Sequence, residues 1–196
     1  MSDILCVTNR TLCQGDFLLR LEEIAKCSPA GIILREKDLS EVEYKSLAKS
    51  VMAICQKYQV PCILHSFVPL ALELQATAIH LPLPALRRLS PISQARFAHI
   101  GTSCHSVNDA LEAVKLGCTY LIVGHIFATD CKKGLPPRGL AFLKEVCASV
   151  SLPVYAIGGI DGSHIAAVRQ AGAAGACCMS SLMTCKDVAS YFRTLQ

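Results

Sequence analysis

Tryptophan is absent from this chain of 196 residues, and six phenylalanines and five tyrosines supply all its aromatic side chains. So few flat platforms give exposed bases little to stack on, which speaks against a single-stranded nucleic-acid binder. Long charged runs are missing too: the formal net charge is +4, and no basic run is longer than Arg87-Arg88 or Lys132-Lys133. A basic arm for DNA or RNA gains no support, whereas a small anionic ligand suits this balance. No pair of cysteines has CxxC spacing, so the twelve cysteines do not read as a zinc site. No apolar stretch reaches the roughly 18 residues that would cross a bilayer, so no membrane span is expected. The start, MSDILCVTNR, lacks a basic segment, a long apolar stretch and a cleavage site. The expectation is a cytoplasmic protein with reduced thiols, most of them, such as Cys6, Cys62, Cys118 and Cys177, serving as small core residues.

What is present is a regular alternation. Short runs rich in Val, Ile and Leu occur at 4–8, 31–36, 61–66, 78–82, 99–104, 120–127, 153–159 and 175–181. Between them lie segments such as DFLLRLEEIAKC, SEVEYKSLAKSVMAICQKY, SVNDALEAVKLG and GLAFLKEVCASV, with apolar positions every three to four residues. Ser40 followed by Glu43 has the form of a capping box, Ser106 and Asp161 stand where helices would start, and Gly117 and Gly172 where they would stop. Runs apolar at consecutive positions suit parallel strands covered on both faces. Eight strand–helix units therefore predict an α/β fold, a (β/α)8 TIM barrel forming one domain over residues 1–196. An open doubly wound sheet is the alternative, but no GxGxxG turn follows the first strand.

In such a barrel the active site lies at the carboxyl ends of the strands. That position selects Thr8 and Asn9, then Arg35, Glu36 and Lys37, then His65 and Ser66, then Ser103 and His105, and on the sixth loop His125, Thr129, Lys132 and Lys133. Strands seven and eight end in AIGGI and CMSSLM. Small residues there let backbone N–H groups approach a phosphate, so Gly158, Gly159, Ser180 and Ser181 are the expected phosphate site. An imidazole can exchange a proton near neutral pH, which makes His125 the candidate acid/base beside that phosphate. Arg35 and Lys37 suit a dianionic ligand, and their place on the sixth loop makes Thr129 and Lys133 candidate substrate contacts. His80, followed by Leu81 and Pro82, reads as buried and structural; His99 and His164 fall outside the strand ends.

The stretches LREK, IGTSCHS, GHIFATDCKKG, AIGGI and CMSSLM, in this order and spacing, resemble the thiamin phosphate synthase/TenI superfamily of small phosphate-binding barrels. The resemblance covers essentially the whole chain and implies two possible activities. The synthases join hydroxymethylpyrimidine diphosphate to thiazole phosphate, with magnesium held by aspartates in an ND pair after strand three and a GQxD-like stretch after strand four. Here those places read HSF and LPLPA, with neither carboxylate. The Gly124-His125 pair and the IFATDCKKG that follows resemble TenI, the thiazole tautomerase, which moves only a proton and needs no metal or other cofactor. The resemblance thus implies a thiazole tautomerase with His125 as the base. It implies a small phosphorylated thiazole as substrate, Arg35, Lys37 or Lys133 toward its carboxylate, and a homo-oligomer, a dimer. A thiamin phosphate synthase is the alternative, and a non-catalytic phosphate-ligand-binding regulator a further one, without a helix-turn-helix to support DNA binding.

Overall fold

Gly31-Ile32-Ile33-Leu34 is buried at all four positions, and so are Ile4-Leu5-Cys6-Val7 and Gly175-Ala176-Cys177-Cys178. Such segments must be covered on both faces, and in the computed structural model, described over residues 3–196, they are parallel strands of a closed barrel. The strands are β1 (Ile4–Val7), β2 (Gly31–Leu34), β3 (Cys62–His65), β4 (Ala78–Pro82), β5 (His99–Cys104), β6 (Tyr120–Gly124), β7 (Val154–Ile157) and β8 (Gly175–Cys178). They pair in chain order, and β1 closes on β8 through the register Cys6↔Cys178.

Alternate residues separate two cores. Leu5, Val7, Ile33, Ile63, Ile122 and Cys177 fill the barrel interior, while Ile4, Cys6, Ile32, Leu34 and Cys178 pack outward under the helices. The longer helices are α1 (Phe17–Lys26), α2 (Glu41–Lys57), α6 (Val107–Lys115) and α7 (Gly139–Ser149). Shorter ones are α3 (Val68–Glu73), α4 (Leu83–Leu86), α5 (Pro91–Gln94), α8 (Ile165–Gln170), α9 (Ser180–Thr184) and α10 (Val188–Thr194).

The predicted capping box is present: the Ser40 hydroxyl accepts from the Glu43 amide, and the Glu43 carboxylate accepts from the Ser40 amide at 2.9 Å. Ser106 caps α6 by accepting from Asp109 N. Gly117 and Gly172 follow α6 and α8 at φ +81° and +95°. Asp161 differs from expectation. Its carboxylate accepts from the Ser163 amide and hydroxyl in a local turn, and α8 starts only after His164. Six strands also end earlier than their apolar runs, β2 at Leu34 instead of Glu36 and β6 at Gly124 instead of Phe127, because the closing residues turn into the site loops. Among the described residues no helix is long and apolar enough to cross a membrane, and all twelve cysteines are free.

Candidate active site

The carboxyl ends of the strands open into one cavity of about 840 Å³, lined from β1 round to β8. On the β2 side the wall is backed by the buried Glu36, which is 3% exposed and lies behind the lining residues. The Thr8 hydroxyl donates to this carboxylate at 2.6 Å, the Arg10 amide donates to both its oxygens, and the Arg35 amide donates to Thr8 Oγ1. Burial raises the Glu36 carboxyl above its ordinary value against the opposing pull of Thr8 and Arg10. Glu36 therefore braces the first two loops, and its neighbours Arg35 and Lys37 line the cavity on either side. Burial and then the Arg35 and Lys132 charges lower the Lys37 ammonium from its usual range. For Lys132 to act there, the sixth loop must reach across the mouth toward β2.

Next along the wall are two stacked histidines. His65 and His80 have ring centroids 5.7 Å apart, and His80 is held at both nitrogens, Nδ1 by the Tyr120 hydroxyl at 3.1 Å and Nε2 by Ser103 Oγ at 2.9 Å. Burial pushes both imidazoles down to about 3; Arg35 and Lys37 add to this at His65, and His65 and Arg35 at His80. Both rings are neutral across the physiological range, so His80 belongs to the cavity wall while remaining structural.

His125 stands on the opposite side, following β6 through a cis peptide with Gly124. The carbonyl oxygen of Leu135 lies 3.3 Å from its Nε2. A carbonyl can only accept, so Nε2 carries the hydrogen in the neutral ring, and the Nδ1 lone pair meets no hydrogen-bond partner among the described residues. His105 supports this corner in the same way, its Nδ1–H donating to the Gly124 carbonyl at 2.9 Å. Beyond the strand, Ile126 N donates to Ile157 O and Phe127 N to Gly158 O, both at 2.9 Å, so the histidine segment stays zipped to the end of β7.

Gly158 and Gly159 adopt φ +101° and +65° there, the left-handed region that favours glycine. A side chain on Gly158 would run into His125, and one on Gly159 into the backbone of Phe127 and Ala128. The two glycines thus let the sixth loop lie against the seventh, and both line the cavity with Ser180 and Ser181 at the start of α9. Tyr191 of α10 closes this end. Its hydroxyl is buried with no hydrogen-bond partner among the described residues, and burial raises its pKa, eased by Ser181 beside it.

Of the residues expected from the sequence, His125, Gly158, Gly159, Ser180, Ser181, Arg35, Lys37 and Thr129 line one cavity. Thr129 also caps the short turn Asp130–Lys132 by accepting from Cys131 N. Lys133 is not brought in: it is exposed and pairs with Asp130 at 3.5 Å, and Lys132 lines the cavity instead, because that turn points the two lysines apart. Position along the strands did not single out Tyr120 inside β6 or Tyr191 after β8.

Magnesium does not fit the donors at the ends of β3 and β4. His65, Ser66 and Pro82 offer an imidazole and a hydroxyl where hard carboxylate oxygens would be needed. Among the described residues no group of three or more His, Cys, Asp or Glu side chains is placed to hold a metal ion.

Comparison with known proteins gives a consistent family. A thiamine-phosphate synthase of Syntrophomonas wolfei is 33% identical, over 97% of this chain and 92% of its own length. A putative thiamine-phosphate synthase 2 of Aquifex aeolicus is 35% identical, over 86% and 91%. Among solved structures, the thiamine phosphate pyrophosphorylase of Pyrococcus furiosus superposes with a TM-score of 0.83 at 26% identity, covering 98% of this chain and 92% of that one. A 3-hexulose-6-phosphate synthase at 16% identity and TM-score 0.71 shares the fold. The family model described as thiamine monophosphate synthase matches residues 4–182, nearly all of the barrel, and the chain belongs to that family.

Proposed function

We propose that this member of the family is a thiazole tautomerase, isomerising a carboxythiazole phosphate tautomer to its aromatic form. The observation that carries the reading is His125 on the cavity wall, its Nε2 directed to Leu135 O and its Nδ1 free, packed on Gly158. The phosphate binds to the backbone amides of Gly158 and Gly159 and to Ser180 and Ser181, and the ring extends toward the cations Arg35 and Lys37. His125 Nδ1 takes the proton from ring C2, the C–H electron pair moves into the ring as it becomes aromatic, and the exocyclic carbon on C5 receives a proton. One base can perform both transfers, because nothing else leaves or enters. Anchoring by the phosphate holds C2 near the base, so no metal is asked to orient the ligand.

The test is exchange and migration of the ring proton on the carboxythiazole phosphate tautomer. His125→Ala is expected to lower the rate by about 10²- to 10⁴-fold, the usual contribution of a positioned acid/base. An unchanged rate would sink the reading.

The synthase names of the relatives favour a second reading, a thiamine-phosphate synthase. A cavity of about 840 Å³ with cations on one rim has room for two small phosphorylated ligands. Coupling of hydroxymethylpyrimidine diphosphate to thiazole phosphate, with magnesium supplied, would establish it; no coupling at high enzyme concentration would remove it.

A further inference from the structure

His65 ends β3 inside the cavity, almost wholly enclosed at 6% exposure. Its Nδ1 is 2.6 Å from the Ser66 hydroxyl. Its Nε2 has no hydrogen-bond partner among the described residues. The single sealed and unpartnered side-chain nitrogen or oxygen among those residues is the Tyr191 hydroxyl, so Nε2 is open to the cavity that His65 lines. His80, stacked beneath, is already committed at both ring nitrogens. His65 is therefore the member of the pair with an atom left for a ligand.

Two further facts say what that ligand is. Ser66 adopts φ +70°, the left-handed region, which costs an L residue free energy and recurs where a binding group must be aimed. This backbone is held by Ser66 N donating to His80 O and Val68 N donating to Ser66 O, and it sets the hydroxyl on Nδ1. A hydroxyl can donate or accept, so the group that binds at Nε2 decides which nitrogen carries the hydrogen. Arg35 and Lys37 stand close enough to oppose a charge on this ring, and two cations select an anion. Anionic oxygens only accept; hence Nε2 carries the hydrogen and Ser66 donates to Nδ1. A neutral N–H between two cations adds direction to the binding without adding a third charge.

Strand order separates this anion from the phosphate. β3 lies four strands from β7 in the closed barrel, so a ligand anchored at Gly158 and Gly159 meets His65 with its other end. We propose that His65 is a specificity-determining residue whose Nε2–H donates to the substrate's carboxylate, so that a carboxylated thiazole phosphate is preferred over the same compound without the carboxylate. The proposal rests on the tautomerase reading.

Calorimetric titration with two aromatic ligands, the carboxythiazole phosphate and its decarboxylated counterpart, tests it without turnover. The wild type is expected to bind the carboxylated compound at least about tenfold more tightly, the order of one hydrogen bond to a charged group. In His65→Leu that preference falls by about tenfold, while affinity for the decarboxylated compound and for inorganic phosphate stays the same. Nitrogen NMR of the wild-type complex, which needs no variant, is expected to show His65 protonated at Nε2 and unprotonated at Nδ1. A preference retained in His65→Leu, an equal weakening of both ligands, or the opposite tautomer overturns the role of His65 and leaves the tautomerase reading standing. Failure of the wild type to bind either thiazole while it binds phosphate overturns both.

Discussion

The two stacked histidines make one region of the cavity sensitive to acid. Both rings are pushed from an ordinary value of 6.5 down to about 3. In the unfolded chain they take up protons as the pH falls through about 6.5, whereas in the fold they remain neutral until about 3, so the unfolded chain binds more protons across that window. Their contribution is fully present above about pH 6.5 and is lost on acidification toward 3, by up to about 1.4 kcal/mol per pH unit for each ring. The urea midpoint is expected to drop between pH 7 and pH 5, where carboxylates titrate little, and to drop less in His65→Gln. A midpoint unchanged over that interval would contradict the neutral pair. Residues of this kind set the limit of what could be read without the fold. His125, Arg35 and Lys37 were legible because they close apolar runs, and the same filter pointed to His65. His80 sits inside such a run and Tyr191 follows the last strand on a short helix, so only the three-dimensional arrangement brings them to the cavity, with the Tyr120 hydroxyl behind His80. Lys132 and Lys133 are adjacent and chemically alike, and the path of the turn alone separates them.

Among the elements, α2 shows most directly how local chemistry specifies structure. Its seventeen residues begin at the reciprocal Ser40–Glu43 pair, which satisfies donors that the first turn would otherwise leave unpaired. Ser40→Ala is expected to lower stability by about 1 kcal/mol, with the site untouched, as measured by denaturant unfolding and by unchanged ligand affinity. The eight strands and the four long helices were legible for the same reason: each carries enough apolar periods, or enough consecutive apolar residues, to announce its type. The helices of four to seven residues span two turns or fewer: α8 was marked by its flanking Asp161 and Gly172, whereas α3, α4, α5, α9 and α10 leave too little pattern to recognise. Strand ends were over-read because residues such as Arg35, Ile126 and Gly158 follow an apolar run in sequence while leaving the barrel in space.

Across the whole molecule, the cysteines follow the two-core architecture. Cys6, Cys55, Cys104, Cys118, Cys177 and Cys178 are buried, and burial drives the Cys104, Cys118 and Cys178 thiols up to about 12, while Cys131 is exposed at the cavity mouth. A short pulse of iodoacetamide on the native protein is expected to label Cys131 first and to leave those six unmodified until the chain is unfolded, as read by peptide mass spectrometry. Rapid native labelling of Cys6 or Cys55, which are buried away from the cavity lining, would show that the barrel opens. The backbone bonds from Ile126 to Ile157 and from Phe127 to Gly158 carry a different consequence. They fix the separation between His125 and the Gly158-Gly159 pair through main chain alone, whereas residues 128–137 hang outside that ladder and are almost entirely solvent-facing. Apart from the Leu135 carbonyl on His125 Nε2, this outer stretch is therefore free to vary and to reshape the cavity mouth at Thr129, Cys131 and Lys132 while the spacing between His125 and Gly158 is kept.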